Sequence, residues 1–218
     1  MRSRRALLFD LDGTLTDPKP GITRSIQYAL EKLGEAVPET DDLEWCIGPP
    51  LQESFAQLLG GAERVDQAMD LYRERFSDQG LYENAVYPGI SDVLVAMQAE
   101  GFALYVATSK PHVYAKCIVE HFDLSRFFTG ISGPELDGTR REKAALIAYL
   151  IDVQKLDPAR CVMIGDREHD VLGARANGVA TVAVTWGYAN PGELSAADPD
   201  ATCTTPAALP AALRGLLA

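Results

Sequence analysis

The sequence lacks any apolar run approaching the roughly 20 residues that a helix needs to cross a bilayer, so a membrane-embedded protein is not expected. Its basic start, Met1-Arg2-Ser3-Arg4-Arg5, imitates a secretion signal, but only four apolar residues follow before Asp10. A signal requires an apolar stretch of about 7 to 15 residues. Cysteine is sparse: Cys46, Cys117, Cys161 and Cys203 are scattered, with no pair at metal-ligand or disulfide-framework spacing. Each is expected to be a buried small hydrophobe in a reducing cytoplasm. Histidine is scarcer still, and His112, His121 and His169 neither pair at ligand spacing nor stand at a strand end. They read as helix surface, which argues against a histidine metal centre. Basic residues are outnumbered 20 to 31 by acids, and the net charge is −11. Without a Lys/Arg cluster, a polymeric nucleic acid is not an expected partner, and the substrate should be small. Internal repeats and low-complexity tracts are also missing.

What remains is 218 residues, 47% of them hydrophobic, enough for one sizeable core plus an insert. Within it, Phe9-Asp10-Leu11-Asp12-Gly13-Thr14-Leu15-Thr16-Asp17 sets two carboxylates two residues apart where the apolar segment Ala6-Leu7-Leu8-Phe9 ends. If that segment is a buried strand, Asp10 and Asp12 emerge near its carboxyl edge and Gly13 lets the backbone turn. A carboxylate pair there suits metal binding and covalent catalysis, although most Asp-Gly pairs simply make turns. A second apolar run, Cys161-Val162-Met163-Ile164, also ends in Gly165-Asp166 and is followed by Asp170. A third, Phe102 to Ala107, terminates in Thr108-Ser109-Lys110-Pro111, and Lys143 opens an apolar helical stretch. Open α/β sheets bind ligands beyond the carboxyl ends of their strands, so these groups are expected to converge on one crevice.

On these residues the chain resembles the haloacid dehalogenase superfamily, matching its four motifs in order. The resemblance implies that Asp10 is the nucleophile, Asp12 the general acid and base, Thr108 a phosphate ligand and Lys143 the phosphate clamp. It further implies Asp166 and Asp170 as metal-site acids, with Mg²⁺ held by Asp10, Asp166 and the backbone carbonyl of Asp12. Gly13, Thr108, Ser109, Lys110 and Lys143 are the candidate phosphate-binding residues. The stretches Gly165 to Asp170 and Gly173 to Gly178 are similar to the phosphoglycolate phosphatase group and especially its 5'-nucleotidase-like branch. The expected activity is therefore hydrolysis of a small phosphate monoester through an aspartyl-phosphate. A 5'-nucleotide stands first as substrate and 2-phosphoglycolate second. A phosphomutase is disfavoured by Thr14, where related mutases often carry valine. A non-catalytic phospholigand-binding regulator would be favoured by damage to Asp10, Asp12, Lys143 or Asp166, and all four are intact.

The expected fold is α/β, a Rossmann-like parallel sheet flanked by helices with an inserted all-helical cap. The core should comprise residues 1–16 and 88–218 and the cap residues 17–87, closed by Tyr87-Pro88-Gly89. Cap helices are expected from Ile22 through Leu33, and near 40–46, 50–59 and 63–79. In the core, helices are expected near 90–100, 111–121, 141–153, 168–177 and 206–217. The corresponding strands are placed at 102–107, 127–131, 161–164, 180–184 and 201–203. Ile47-Gly48-Pro49-Pro50-Leu51 is a candidate substrate-contact loop, equally readable as a plain turn between helices. Arg140, Arg141 and Arg167 lie beside motif positions and read first as solvated helix-end charge, second as groups that steer an anion. The oligomeric state is not legible.

Overall fold

The computed structural model describes residues 4–217; Met1, Arg2 and Ser3 of the basic start, and Ala218, lie outside the described residues. In chain order the first elements are β1 (Ala6–Phe9), β2 (Thr16–Asp17), α1 (Lys19–Leu33), α2 (Leu51–Leu58), α3 (Val65–Arg75) and β3 (Ala85–Val86). Next come α4 (Ile90–Ala99), β4 (Ala103–Ala107), α5 (His112–His121), β5 (Gly130–Ser132), α6 (Lys143–Gln154) and β6 (Cys161–Gly165). The chain then runs through α7 (Glu168–Arg175), β7 (Ala180–Val184), α8 (Glu193–Ala197), β8 (Ala201–Cys203) and α9 (Leu209–Leu216). They fall into two compact units, Met1–Thr16 with Val86–Ala218, and Asp17–Ala85.

The first unit is built on a six-stranded sheet of order β5-β4-β1-β6-β7-β8, and every pairing is parallel. β1, β4 and β6 are buried at every position, which is why they read as continuous apolar runs rather than alternating ones. On one face Leu8, Tyr105 and Met163 of these strands form a core with Ile147 and Leu150 of α6 and Ala174 of α7. The register sets Phe9 opposite both Val106 and Ile164, so the residues that follow the three strands emerge at one edge. The strand order also reverses there. From β1 the chain proceeds to β4 on one side, and from β6 it proceeds to β7 on the other, so a crevice opens between the ends of β1 and β6.

The second unit is helical. Ile22, Ile26, Ala29 and Leu30 line the buried face of α1, spaced as one side of a helix, and the element ends at Gly34. Phe55 packs edge-on against Tyr72, and Tyr72 stacks on Phe76. Asp41–Cys46 forms a 3₁₀ turn and Phe76–Gly80 a π turn. The Glu83 carboxylate receives Arg75 Nη1 at 2.8 Å and Arg24 Nη1 at 3.0 Å.

Three features depart from the sequence reading. The short helix α8 occupies a stretch for which no element was expected. β2 and β3, two residues each, pair as a ribbon of their own. Cys117 is exposed, unlike the buried Cys46, Cys161 and Cys203, because the apolar face of α5 is Ala115, Ile118 and Val119 and residue 117 falls outside it.

Candidate active site

Asp10 follows β1 and prolongs its ladder, donating its amide to Ile164 O at 2.9 Å. The next residues turn back on Leu11, whose carbonyl accepts the amides of Leu15 at 2.9 Å and Thr16 at 3.0 Å. Gly13 makes the turn possible in two ways. Its φ is +81°, and a Cβ there would lie 2.2 Å from Asp166 Oδ2. Its own amide donates to Thr16 O at 2.8 Å.

Asp166 follows β6 and is 1% exposed. Thr14 Oγ1 donates to its Oδ1 at 3.2 Å and the Tyr188 amide to its Oδ2 at 2.8 Å. A Cβ on Gly187 would lie 2.3 Å from that same Oδ2, so glycine is required on this side as well. Four residues on, Asp170 caps the start of α7, its Oδ2 accepting the Arg167 amide at 3.2 Å.

These strand ends bring Asp10, Asp166 and Asp170 together, with one carboxylate oxygen from each lying within 4.8 Å of the others. Lys143, the first residue of α6, reaches into this group. Its Nζ lies 3.0 Å from Asp10 Oδ1 and 2.7 Å from Asp170 Oδ1, and donates to Ala107 O at 3.0 Å. The Asp12 carboxylate is not part of the trio: Oδ2 pairs with Lys110 Nζ at 2.8 Å, while Oδ1 is buried without a hydrogen-bond partner. Thr108 is fully buried, and its hydroxyl accepts the Lys110 amide at 3.1 Å. Ser109 beside it is half-buried.

Burial dominates the electrostatics. It pushes the Asp166 carboxyl well above the usual range, and repulsion from Asp10 and Asp170 adds to the effect. Burial also raises Asp12 against the pull of Lys110, and Asp170 against the pull of Lys143. Burial alone would lower the Lys143 ammonium, but Asp10 and Asp170 outweigh it and hold the proton more firmly. Four carboxylates, of Asp10, Asp12, Asp166 and Asp170, thus face the two ammonium groups of Lys110 and Lys143. The imbalance equals the charge of one divalent cation, and a set made only of carboxylate oxygens suits a hard ion of the Mg²⁺ type. The residues present therefore fit such an ion.

Arg167 differs from the sequence reading. Instead of a solvated helix-end charge it is 6% exposed, and its Nε donates to Glu193 Oε1 at 2.7 Å. Glu193 was not singled out by any motif. Its carboxylate also accepts the amides of Glu168 and Asn190, each at 2.9 Å, and Asn190 Nδ2 at 3.0 Å. Burial would raise this carboxyl, but those hydrogen bonds prevail and hold it below the usual value. The available signal was the Pro191-Gly192 turn followed by an acid at the head of a short run of small and apolar residues. Arg140 instead pairs with Glu135 and lies over the Tyr149 ring, 4.3 Å from its centroid. Arg141 and His169 are exposed.

Residues 7–184 match the family model described as haloacid dehalogenase-like hydrolase. The chain belongs to that family. This makes it an enzyme, a hydrolase of the phosphatase type, and the inserted helical unit accords with the fold of related solved structures. A 5'-nucleotidase of Pseudomonas aeruginosa is 52% identical over 204 residues, 93% of this chain and 92% of that protein. The tyrosine-protein kinase PtkA of Mycobacterium tuberculosis is 40% identical over 186 residues, covering 85% of this chain and 64% of that one. The crystal structure of a predicted phosphatase from Clostridium acetobutylicum matches with a TM-score of 0.90 at 38% identity, covering 99% of both chains.

Proposed function

We propose that this hydrolase is a Mg²⁺-dependent phosphatase that cleaves a small phosphate monoester, a 5'-nucleotide first among them, through a phosphoryl group carried on Asp10. One observation carries the reading: oxygens of Asp10, Asp166 and Asp170 gather within 4.8 Å, with Lys143 against two of the three. Asp10, Asp166 and the Asp12 carbonyl would hold the ion, with Asp170 beside them. When bound, it reduces the repulsion between Asp10 and a dianionic phosphate.

Asp10 attacks phosphorus in line, splitting one difficult hydrolysis into two easier steps. Asp12 gives a proton to the leaving alkoxide and later withdraws one from the attacking water, a task that suits a carboxyl whose proton affinity burial has raised. Lys110, paired with Asp12, orients that carboxyl. Thr108 and the backbone around Ser109 bind phosphoryl oxygens, and Lys143 supplies fixed positive charge that counts most in the transition state. Gly13 keeps the space into which Asp166 fits. Residues 17–87 act as the cap that selects the part of the substrate that is not phosphate. The free cysteines suit a reducing cytoplasm. Among the described residues no helix is long and apolar enough to cross a membrane.

The test is phosphate release from a panel of 5'-mononucleotides, 2-phosphoglycolate and an aryl phosphate, with Mg²⁺ or with EDTA. Turnover should require Mg²⁺, vanish in a folded Asp10→Asn variant, and be greatest with a 5'-nucleotide. Near wild-type activity in Asp10→Asn would overturn the nucleophile, and a preference for 2-phosphoglycolate would replace the substrate. The 40% identity to PtkA favours a second reading, in which a tyrosine hydroxyl rather than water accepts the phosphoryl group. Labelled phosphate appearing on a tyrosine peptide, with none released to water, would establish it.

A further inference from the structure

Outside the residues already given roles, the Glu193 carboxylate stands out as a buried side chain that accepts four hydrogen bonds. Through Oε1 it receives Arg167 Nε at 2.7 Å and the Glu168 amide at 2.9 Å. Through Oε2 it receives the Asn190 amide at 2.9 Å and Asn190 Nδ2 at 3.0 Å. The Arg167 and Glu193 side chains are 8% and 6% exposed, so this is an interior pair rather than a surface one. A partnership this well satisfied rigidifies whatever it joins.

It joins two segments that meet at Asp166. One is the turn Arg167-Glu168, between Asp166 and Asp170; the Arg167 amide also donates to Asp170 Oδ2 at 3.2 Å. The other is the strap from Trp186 to Asn190. The Tyr188 amide holds Asp166 Oδ2 at 2.8 Å, and Trp186 Nε1 donates to Thr14 O at 3.1 Å. Thr14 in turn donates its hydroxyl to Asp166 Oδ1 at 3.2 Å. Without the Glu193 carboxylate, the strap and the turn would lose the hydrogen bonds that Arg167, Glu168 and Asn190 make to it. Asp166 and Asp170, which repel one another and Asp10, would then be free to spread.

We infer that Glu193 is a positioning residue for the divalent cation: through Arg167, Glu168 and Asn190 it fixes the separation of Asp166 and Asp170 to suit the ion. The inference rests on the metal-site reading above. Glu193 touches neither substrate nor ion; it acts on the backbone that carries the ligands. Residues behind metal ligands in this way change metal affinity about 10- to 100-fold when replaced.

The experiment titrates Mg²⁺ into the full chain without substrate, by isothermal calorimetry, for wild type, Glu193→Gln, Glu193→Ala and Asp166→Asn. Glu193→Gln should weaken Mg²⁺ binding about tenfold. In the phosphatase assay its activity should recover as Mg²⁺ is raised, while KM for the phosphate ester stays put. A merely structural role would lower kcat at every Mg²⁺ concentration and leave the binding constant unchanged. Should the Glu193 variants fail to fold, Arg167→Lys takes their place: it removes the Nε–H that Glu193 Oε1 accepts and should shift the Mg²⁺ constant the same way. Folded variants that bind Mg²⁺ as wild type does would overturn the inference while leaving the metal site standing, provided Asp166→Asn loses binding. If wild type itself takes up no Mg²⁺, or Asp166→Asn binds it equally well, the metal-site reading fails and this inference with it.

Discussion

Lys110 Nζ stands 2.8 Å from Asp12 Oδ2, in a pair whose side chains are 5% and 12% exposed. Both charges have largely left bulk water, and their contact offsets part of that cost. Removing one member of a buried ion pair costs about 3–5 kcal/mol because the charge that stays loses its nearest opposite charge. Lys110→Met, which takes the nearest cation from the Asp12 carboxylate, should therefore lower the melting temperature, by about 2–4 °C per kcal/mol in a chain of this size, whereas Asp12→Asn, at a carboxyl that burial already holds above its usual value, should lower it less. The double variant should lose clearly less than the two added together. Calorimetry on the four proteins measures the coupling, and strictly additive losses would show that the pair shares no energy.

Asp166 carries the opposite kind of burden. Burial, reinforced by Asp10 and Asp170, holds its proton affinity well above normal, so its ionised form works against the folded state when no cation is bound. Asp166→Asn keeps an acceptor for the Tyr188 amide and turns a donor toward the Thr14 hydroxyl. In EDTA this variant should melt above wild type. With Mg²⁺ in excess, wild type should gain stability and the variant should not. Thermal denaturation in the two buffers decides it, and a variant that melts lower than wild type in EDTA contradicts the electrostatic account.

The site was legible where chemistry coincides with a local pattern. Ala6–Phe9 and Cys161–Gly165 are apolar runs that end at an acid, and both the run and the acid are visible without knowing the fold. Lys143 was placed by resemblance to a family, since a lysine at the head of an apolar helix looks the same whether it faces solvent or two carboxylates. Arg167 was misread for the same reason. Its partner Glu193 lies 26 residues along the chain, and nothing near residue 167 distinguishes a buried guanidinium from an exposed one. β2 and β3 are two residues each, too short for alternation to show.

The helical unit offers a pH test of its own. Hydrogen bonding from Arg75, with help from Arg24, lowers the Glu83 carboxyl below its ordinary value of 4.5 despite partial burial. A depressed acid stabilises the fold above its unfolded pKa, and that contribution disappears as pH falls through the lower folded one. Glu83→Gln should therefore melt below wild type at neutral pH. The gap should close as the buffer is taken beneath pH 4.5. Melting curves across that range check it; a gap that stays constant would mean that the Glu83 charge contributes nothing.

Thiol reactivity tests the packing of the remaining chain. Burial pushes the Cys46 and Cys161 thiols up to about 11, and raises Cys203 as well, so near neutral pH these three are both inaccessible and protonated. Cys117 is exposed, because Ala115, Ile118 and Val119 take the inward face of α5. A thiolate-seeking reagent at about pH 8 reacts with whichever thiol is open and partly ionised. The native protein should therefore be modified rapidly once per chain, and four times after denaturation, the number of cysteines in the sequence. Cys117→Ser should abolish the rapid phase and leave phosphate release unchanged, since residue 117 has no part in the site. A second rapid thiol in the native protein would mean that one of the three buried cysteines opens to solvent, and the Cys117→Ser background would show which.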